Sequence, residues 1–225
     1  MNFIRMQPPS ELQEPLESLK GRIMGQLNGR YAGPFALAFT SCTEGEGVTS
    51  VAANFAASLA ADVKRRIVVM DGSLHRLNSQ YPLLENPASR ELGVKDENET
   101  GKQLPARPIW QTINASGNID LMYSRVSFAN PGRVFGAARF GELINQLKEH
   151  YDFIVVDCPP LMGTSGAAML ASQCDASVLV VEAGRVRRES IQRCIQNLEA
   201  TGANLLGVVL NKRKYPIPEF IYNRL

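Results

Sequence analysis

Short apolar runs, separated by stretches of helical periodicity, dominate the pattern of hydrophobic and polar positions along this chain. The runs do not alternate with polar residues, and they cover residues 35–40, 67–70, 119–122, 153–156, 178–181 and 206–210. Strands that are covered on both faces have this pattern, as in a parallel sheet between two layers of helices. Two helices are predicted between the runs, one over residues 140–150 with Leu143, Ile144 and Leu147 on one face, and one before Gly202 with Ile191, Cys194, Ile195 and Leu198 at i, i+3, i+4 and i+7. The pattern predicts an α/β fold with a doubly wound, mostly parallel sheet flanked by helices.

Length and composition are those of one domain. With 225 residues and 44% hydrophobic content, the chain can bury one sizeable core. We predict a single domain over residues 17–225, preceded by a flexible N-terminal segment at residues 1–16. Residues 84–107 are polar, contain Gly and Pro, and are predicted to form a surface excursion.

Charge and cysteine content disfavour several classes of protein. A net charge of +2 gives no basic face for nucleic acid, so no nucleic-acid partner is expected. The apolar runs are too short to span a membrane, and the first 15 residues lack the apolar core of a signal peptide. The cysteines form no CxxC pair and are accompanied by only two His, which indicates free thiols in a reducing cytoplasm: Cys42, Cys158, Cys174 and Cys194. Cys42 and Cys158 both follow strands that we expect to be neighbours, so they are predicted to lie near each other.

The segment TSCTEGEGVTS at residues 40–50 has the spacing of a phosphate-binding loop. It follows a predicted strand and opens a predicted helix at residues 49–61, so backbone N–H groups can converge on a polyphosphate. Gly45 and Gly47 supply the permissive backbone, and Thr49 supplies a hydroxyl for Mg²⁺. The position that carries the lysine in GxxxxGK[ST] is Val48.

Polar residues follow three other predicted strands. Asp71 ends the second strand, Asp157 ends the strand expected beside the loop strand, and Asn211 with Lys212 ends the last one. Ligands of open parallel sheets bind beyond the carboxyl ends of the strands. Each acid alone can be a turn former or helix cap. Together with Thr49, the two acids predict a Mg²⁺ site.

The order of these motifs carries a family resemblance. The segments TSCTEGEGVTSVAANFAASLA, IVVMDGSLHR, YDFIVVDCPPL and GVVLNKRKYPIPEF resemble those of the MinD/ParA-type P-loop ATPases. Over nearly the whole chain, the sequence looks most like the cytoplasmic domain of bacterial tyrosine kinases (BY-kinases) of capsule and exopolysaccharide systems. The resemblance implies a P-loop NTPase fold and a nucleotide ligand, ATP or ADP with Mg²⁺.

The resemblance also implies roles for particular residues. Asp71 corresponds to the first acid of the Walker A′ motif, Asp157 to the Walker B acid, and Asn211 to the position that contacts adenine. The residues that correspond to the nucleotide-binding Walker A loop are Gly45, Glu46, Gly47, Val48, Thr49 and Ser50. Mg²⁺ would be held by Thr49, Asp71 and Asp157, and the two acids would be catalytic in an active enzyme.

Several positions depart from the family pattern. The residues that differ are Val48 for the Walker A lysine, Thr43 for the additional lysine of MinD relatives, Ser73 for the second Walker A′ acid, and Gly166 for the acid after the proline pair. The C-terminal tyrosine cluster is reduced to Tyr215 and Tyr222, the candidate phosphoacceptors. The ExxRxxR pattern, which supports ring-like self-association in the family, reads Glu17, Lys20 and Ile23.

Of these departures, the absence of the Walker A lysine is expected to affect nucleotide binding most. Removing one partner of a close, desolvated charge pair costs ~2–5 kcal/mol, which weakens binding by roughly 30- to 4,000-fold. Arginines elsewhere in the chain are candidates to replace the charge, namely Arg65, Arg66 and Arg76. We therefore expect ATP or ADP with Mg²⁺ to be weakly bound or absent.

The resulting prediction is a degenerate BY-kinase-like pseudo-ATPase that acts as a cytoplasmic scaffold or regulator of exopolysaccharide biosynthesis and export. Its expected partner is a membrane-embedded polysaccharide co-polymerase or export protein, which would hold it at the inner membrane, and a homo-oligomer is possible. Two alternatives are an active tyrosine autokinase that regulates polysaccharide chain length and a MinD-like positioning ATPase. Pro216 and Pro218 predict an extended C-terminal segment, which packs on its own domain or docks into a neighbour.

Overall fold

A computed structural model describes residues 10–27, 33–62, 65–72, 110–124, 137–164 and 166–213. The strands are β1 Phe35–Ser41, β2 Ile67–Asp71, β3 Trp110–Ser116, β4 Ile119–Ser124, β5 Phe153–Asp157, β6 Ala176–Glu182 and β7 Leu205–Asn211. The helices are α1 Ser10–Leu27, α2 Val48–Asp62, α3 Ala137–Lys148, α4 Ala167–Ser172 and α5 Arg188–Ala200. Each of the six predicted apolar runs lies inside a strand.

The strands form one sheet in the order β3-β4-β2-β5-β1-β6-β7. All neighbouring pairs are parallel except β3 with β4. β1 is therefore an interior strand between β5 and β6, and its pairing with β5 agrees with the sequence prediction. The predicted α/β, doubly wound, mostly parallel architecture is confirmed.

Apolar clusters fill the space on both faces of the sheet. The first, here called the α2 face, is covered by α1 and α2, and there the Phe55 ring of α2 lies 5.3 Å from the Phe39 ring of β1. The second, here called the α5 face, is covered by α3, α4 and α5, with Phe140, Leu170 and Leu198 among its buried side chains. Burial on both faces explains why β1, β2, β5 and β6 read as continuous apolar runs. The edge strand β7 is also apolar but only partly buried, with Val208 and Leu210 exposed.

The sequence analysis missed two elements. β3 is a polar strand that pairs antiparallel with β4 and has an irregularity between Asn114 and Ser116. α4 has only six residues and carries no long periodic pattern. Helix α1 begins at Ser10, ahead of the predicted boundary at residue 17, so the division into segment and domain stays a prediction. The predicted excursion at residues 84–107 lies outside the described residues.

Helix α1 is joined to α2 by polar as well as apolar contacts. The Lys20 ammonium forms an ion pair with the Glu17 carboxylate and donates to the Ser58 carbonyl at 3.5 Å. The Ser58 hydroxyl donates to Glu17 Oε1 at 2.7 Å. Lys20 and Ile23 are only 7% and 4% exposed. Two of the three positions that the resemblance links to self-association are therefore buried within this chain.

Candidate functional site

The loop at residues 42–47 joins β1 to α2 at the carboxyl edge of the sheet. Gly45 and Gly47 have φ angles of 81° and 91°, in the left-handed region that favours glycine. A Cβ on Gly47 would lie 2.3 Å from Asn211 Nδ2, so the amide of β7 packs directly against this backbone. The loop then enters α2, where Val51 N–H donates to the Gly47 carbonyl at 3.0 Å.

Glu46 anchors this loop from within. Its side chain is fully buried, and one oxygen accepts hydrogen bonds from the Thr43 N–H and from the Thr43 hydroxyl at 2.8 Å. The other oxygen accepts from the Glu182 N–H at the end of β6, at 2.9 Å. The carboxylate thus fixes the loop to the neighbouring strand, a role that the sequence analysis did not foresee for this predicted nucleotide-binding residue.

Val48 is the first residue of α2, and its side chain is 9% exposed within the apolar cluster of the α2 face. Thr49 is partly exposed and Ser50 is exposed in the first turn of the same helix. The side chain at position 48 therefore belongs to the core and offers no charge to the space above the loop.

Asp71 and Asp157 lie side by side at the ends of β2 and β5, where they are register partners. They are 6% and 3% exposed. The backbones approach closely here, since Gly72 N–H donates to the Asp157 carbonyl at 2.8 Å and a Cβ on Gly72 would lie 2.8 Å from that oxygen. The two acids that were predicted from strand ends are brought together by adjacent strands.

The last strand ends over the loop. Asn211 Nδ2 donates to the Glu46 carbonyl at 2.9 Å. Lys212 has a φ angle of 53°, and its ammonium donates to the Gly45 carbonyl and pairs with Glu182 Oε2 at 3.2 Å. Asn211 and Lys212 therefore both contact the loop, while the contact of Asn211 with a nucleotide stays a prediction.

A second cation, Arg185, completes this polar group. Its guanidinium lies 3.0 Å from the Glu182 carboxylate and 3.3 Å from the place where a Cβ on Gly45 would be. Hydrogen bonds from Arg185 and then Lys212 lower the pKa of Glu182. The sequence analysis did not consider Arg185, although its position just after β6, the neighbour of β1, is a signal that could have located it.

The suggested replacement cations Arg65 and Arg66 are far from the loop, which corrects that part of the sequence analysis. Arg65 lies over the Phe153 ring at 5.4 Å, and the Arg66 carbonyl accepts from the Asp152 N–H, both at the start of β5. Parallel strands of five residues rise by about 16 Å, so these arginines stand at the opposite edge of the sheet. Of the cations in the described ranges, Arg185 and Lys212 contact this loop.

Of the remaining residues that the sequence analysis singled out, the structure describes Gly166 but not those near residue 73 or in the C-terminal segment. Gly166 is buried at the N-cap of α4. Because glycine has no side chain, this position supplies neither a carboxylate nor a side-chain cap to the helix. Ser73, Arg76, Tyr215 and Tyr222 lie outside the described residues, as does the C-terminal segment that contains Pro216 and Pro218.

The four cysteines share one face of the sheet. All four are free and buried on the α5 face. The Cys42 thiol is hydrogen-bonded with that of Cys194 on α5, which raises the pKa of Cys42 and lowers that of Cys194. Burial raises the pKa of Cys158 and, to about 12, that of Cys174. Raised pKa values make the Cys42, Cys158 and Cys174 thiols unreactive. Cys42 and Cys158 follow the neighbouring strands β1 and β5 and belong to the same apolar cluster.

The donor set at the carboxyl edge fits Mg²⁺ and only partly fits a nucleotide. Two adjacent buried carboxylates, Asp71 and Asp157, with the Thr49 hydroxyl opening α2, are oxygen donors of the kind that Mg²⁺ prefers. Among the described residues, no group of three or more His, Cys, Asp or Glu side chains could hold a metal ion by itself. The loop has two left-handed glycines directly before α2, which is typical of phosphate-binding loops, but the formal charges of Glu46 and Glu182 balance those of Arg185 and Lys212.

Comparisons with known proteins agree with this fold. Tyrosine-protein kinase CpsD of Streptococcus pneumoniae is 28% identical over 195 residues, which cover 82% of this chain and 78% of that protein. The solved structure of the chimerical protein CapA2B2 matches with a TM-score of 0.73 at 23% identity, covering 93% of this chain and 88% of that one. The septum site-determining protein MinD of Pyrococcus horikoshii OT3, complexed with Mg-ADP, matches with a TM-score of 0.55 at 21% identity, covering 85% and 76%. No protein-family model matches the chain.

No helix within the described ranges is long and apolar enough to cross a membrane. The fold, the glycine-bearing loop before α2 and the paired acids occur together with similarity to tyrosine-protein kinases over most of the chain. The chain is therefore a homologue of the bacterial tyrosine-protein kinases, built on the P-loop fold of the MinD/ParA type.

Proposed function

We propose that this chain is a catalytically impaired relative of the bacterial tyrosine kinases that acts as a cytoplasmic scaffold or regulator of exopolysaccharide or capsule production. The observation that carries the proposal is the burial of Val48 in the core at the position of the Walker A lysine. A valine neither pairs with a phosphate nor stabilises the charge that develops on the transferred phosphoryl group.

Electrostatics support the same conclusion. Phosphoryl transfer depends on positioned positive charge, and the formal charges of Glu46 and Glu182 offset those of Arg185 and Lys212 beside this loop. The paired acids Asp71 and Asp157 place two further carboxyl groups at this edge of the sheet, which makes it less favourable for a phosphate in the absence of Mg²⁺. ATP or ADP with Mg²⁺ would therefore bind weakly, through the backbone of the loop, through Mg²⁺ held by Thr49 and both acids, and through Asn211 near the adenine.

The scaffold role rests on the relatives and on the intact fold. The named relatives are tyrosine-protein kinases, and the sequence resembles the BY-kinase domains of polysaccharide systems. We propose a membrane-embedded polysaccharide co-polymerase or export protein as the partner, and a location at the inner membrane through that partner. A homo-oligomer would need contacts other than Lys20 and Ile23, because both are buried against α2.

An active tyrosine autokinase is the second candidate. The adjacent, buried positions of Asp71 and Asp157 favour it, because these are the residues that would hold Mg²⁺ and act as catalytic acids in such an enzyme. In that case Tyr215 and Tyr222 are the candidate phosphoacceptors.

Titration calorimetry of the full chain with Mg-ATP, together with assays of phosphate release and phosphotyrosine, separates the two functions. The scaffold proposal expects dissociation constants far above micromolar and no turnover. Micromolar binding with phosphate release or phosphotyrosine would establish the kinase instead. Affinity capture from the source membrane tests the partner, and recovery of no polysaccharide-export component would contradict that part.

A further inference from the structure

We propose that Lys212 supplies the positive charge for phosphate groups at the 42–47 loop, in place of the lysine that is absent from position 48. The inference rests on the proposed function, since it concerns the weak nucleotide binding that remains in an impaired site. Lys212 follows the last strand of the domain, whereas the loop follows the first. Its ammonium would take the place of the charge that Val48 lacks.

The backbone at the end of β7 directs this side chain to the loop. Among the non-glycine residues in the described ranges, Lys212 alone has a positive φ angle, 53°. A lysine in the left-handed region costs roughly 1 kcal/mol, so the surrounding contacts have to stabilise it. Those contacts are the Gly45 carbonyl at 2.5 Å and the Glu182 carboxylate at 3.2 Å from the ammonium.

The contacts of Lys212 leave its ammonium able to exchange partners. Glu182 pairs with Arg185 at 3.0 Å as well as with Lys212, so one cation can leave and the carboxylate stays paired. The other partner, the Gly45 carbonyl, is a neutral acceptor on the loop itself. The Lys212 side chain is 46% exposed and has a flexible stem, so its ammonium can move from that carbonyl to an incoming phosphate oxygen.

The exposure of the Lys212 side chain limits how much it can add to the affinity for phosphate. A charge-assisted hydrogen bond to phosphate is among the strong ones, but solvent reduces the energy of a half-exposed pair. We expect the loss of the Lys212 charge to weaken phosphate binding by about tenfold, less than the full effect of a desolvated Walker lysine. The affinity of wild type for phosphate groups should also fall with rising salt because of this pair.

The test measures binding of Mg-ADP and of inorganic pyrophosphate by the full chain, with Lys212→Met, Lys212→Arg and Arg66→Met as variants. Lys212→Met should weaken both ligands about tenfold and flatten the salt dependence, while Lys212→Arg keeps most of the affinity. Arg66→Met removes an equal charge at the opposite edge of the sheet and should change neither. Thermal unfolding of each variant confirms that it is folded.

Two results would overturn the inference. Unchanged or tighter binding by folded Lys212→Met would mean that Lys212 only fastens the loop through Gly45. Wild type that binds neither ligand at millimolar concentration would also overturn it, and would leave the scaffold proposal intact. Turnover of ATP by wild type would overturn the scaffold proposal instead, and the inference would then be decided by the comparison of Lys212→Met with Lys212→Arg.

Discussion

Restoring a lysine at position 48 is expected to raise the affinity of the loop for Mg-ADP by about 30-fold or more. A close, desolvated charge pair is worth ~2–5 kcal/mol, which corresponds to roughly 30- to 4,000-fold at 25 °C. The loop backbone that such a lysine would complete is already formed, because Glu46 and the left-handed glycines hold it without help from residue 48. The gain should therefore appear without any rearrangement of the loop.

The same substitution is expected to lower the free energy of unfolding, by an amount that can be estimated from the burial of Val48. Val48 is 9% exposed, and full burial of a valine is worth ~1.5–3 kcal/mol. The lysine can keep its methylene stem against the α2 face and place its ammonium above the loop, so the loss should be about 1–2 kcal/mol. For a domain of this size, that lowers the melting temperature by roughly 2–8 °C without ligand, and Mg-ADP should restore part of it.

Titration calorimetry on wild type, Val48→Lys and Val48→Met is the assay. Val48→Met lengthens the side chain without charge, so it shares the packing change but should gain no affinity. Thermal unfolding with and without Mg-ADP measures the stability cost in the same samples. If folded Val48→Lys binds Mg-ADP no more tightly than Val48→Met does, the loop is not a phosphate site.

Three further substitutions test the architecture of the loop. Glu46→Ala leaves two part-buried N–H donors without their acceptor and should cost about 2–4 kcal/mol in urea unfolding, against under about 0.5 kcal/mol for the exposed Glu149→Ala. Gly47→Ala should cost at least about 1 kcal/mol in the same assay, because its φ is 91° and the Asn211 amide lies 2.3 Å from the new Cβ. The pKa of Glu182 is lowered from 4.5 in the folded chain, so its carboxylate stabilises the fold above pH 4.5. The stability difference between wild type and Glu182→Gln should shrink as pH falls below 4.5, and a difference that grows there would contradict the assignment.

The central sheet could be predicted from the sequence because burial on both faces leaves a local signal. β1, β2, β5 and β6 are apolar at nearly every position, and each was recognised from its own residues. β3 was missed for the opposite reason. Its sequence, WQTINAS, is mostly polar, and its strand conformation comes from antiparallel pairing with β4. That pairing depends on the neighbouring strand and is not encoded in the segment alone.

The acids of the candidate site were predictable in the same way, and the cations were not. Asp71 and Asp157 end recognisable strands, and parallel strands bring such ends together. Whether an arginine stands at the carboxyl or the amino edge of the sheet depends on which side of a strand it flanks. Arg65 lies just before β2 and Arg185 just after β6, so the two lie at opposite edges although each is next to a buried strand in the sequence.

The network around Glu46 also lay beyond sequence reasoning. Its carboxylate reaches the N–H of Glu182, which is 136 residues away in the chain. Nothing local distinguishes a buried glutamate in a glycine-rich segment from an exposed one, as Glu44 in the same loop illustrates. The contact exists only because β6 is the neighbour of β1.

The residues that hold the shape of this loop differ from the residue that would give it affinity for phosphate. Gly45, Glu46, Gly47 and Asn211 fix the backbone through left-handed angles, close packing and hydrogen bonds, none of which involves position 48. The loop can therefore lose its lysine and keep its form. For the same reason, similarity of fold to the kinases says nothing by itself about nucleotide affinity, because the contacts that hold this backbone do not depend on a charge at position 48. Binding measured on the charge variants at positions 48 and 212, together with assays of turnover, therefore tests the function where the fold cannot.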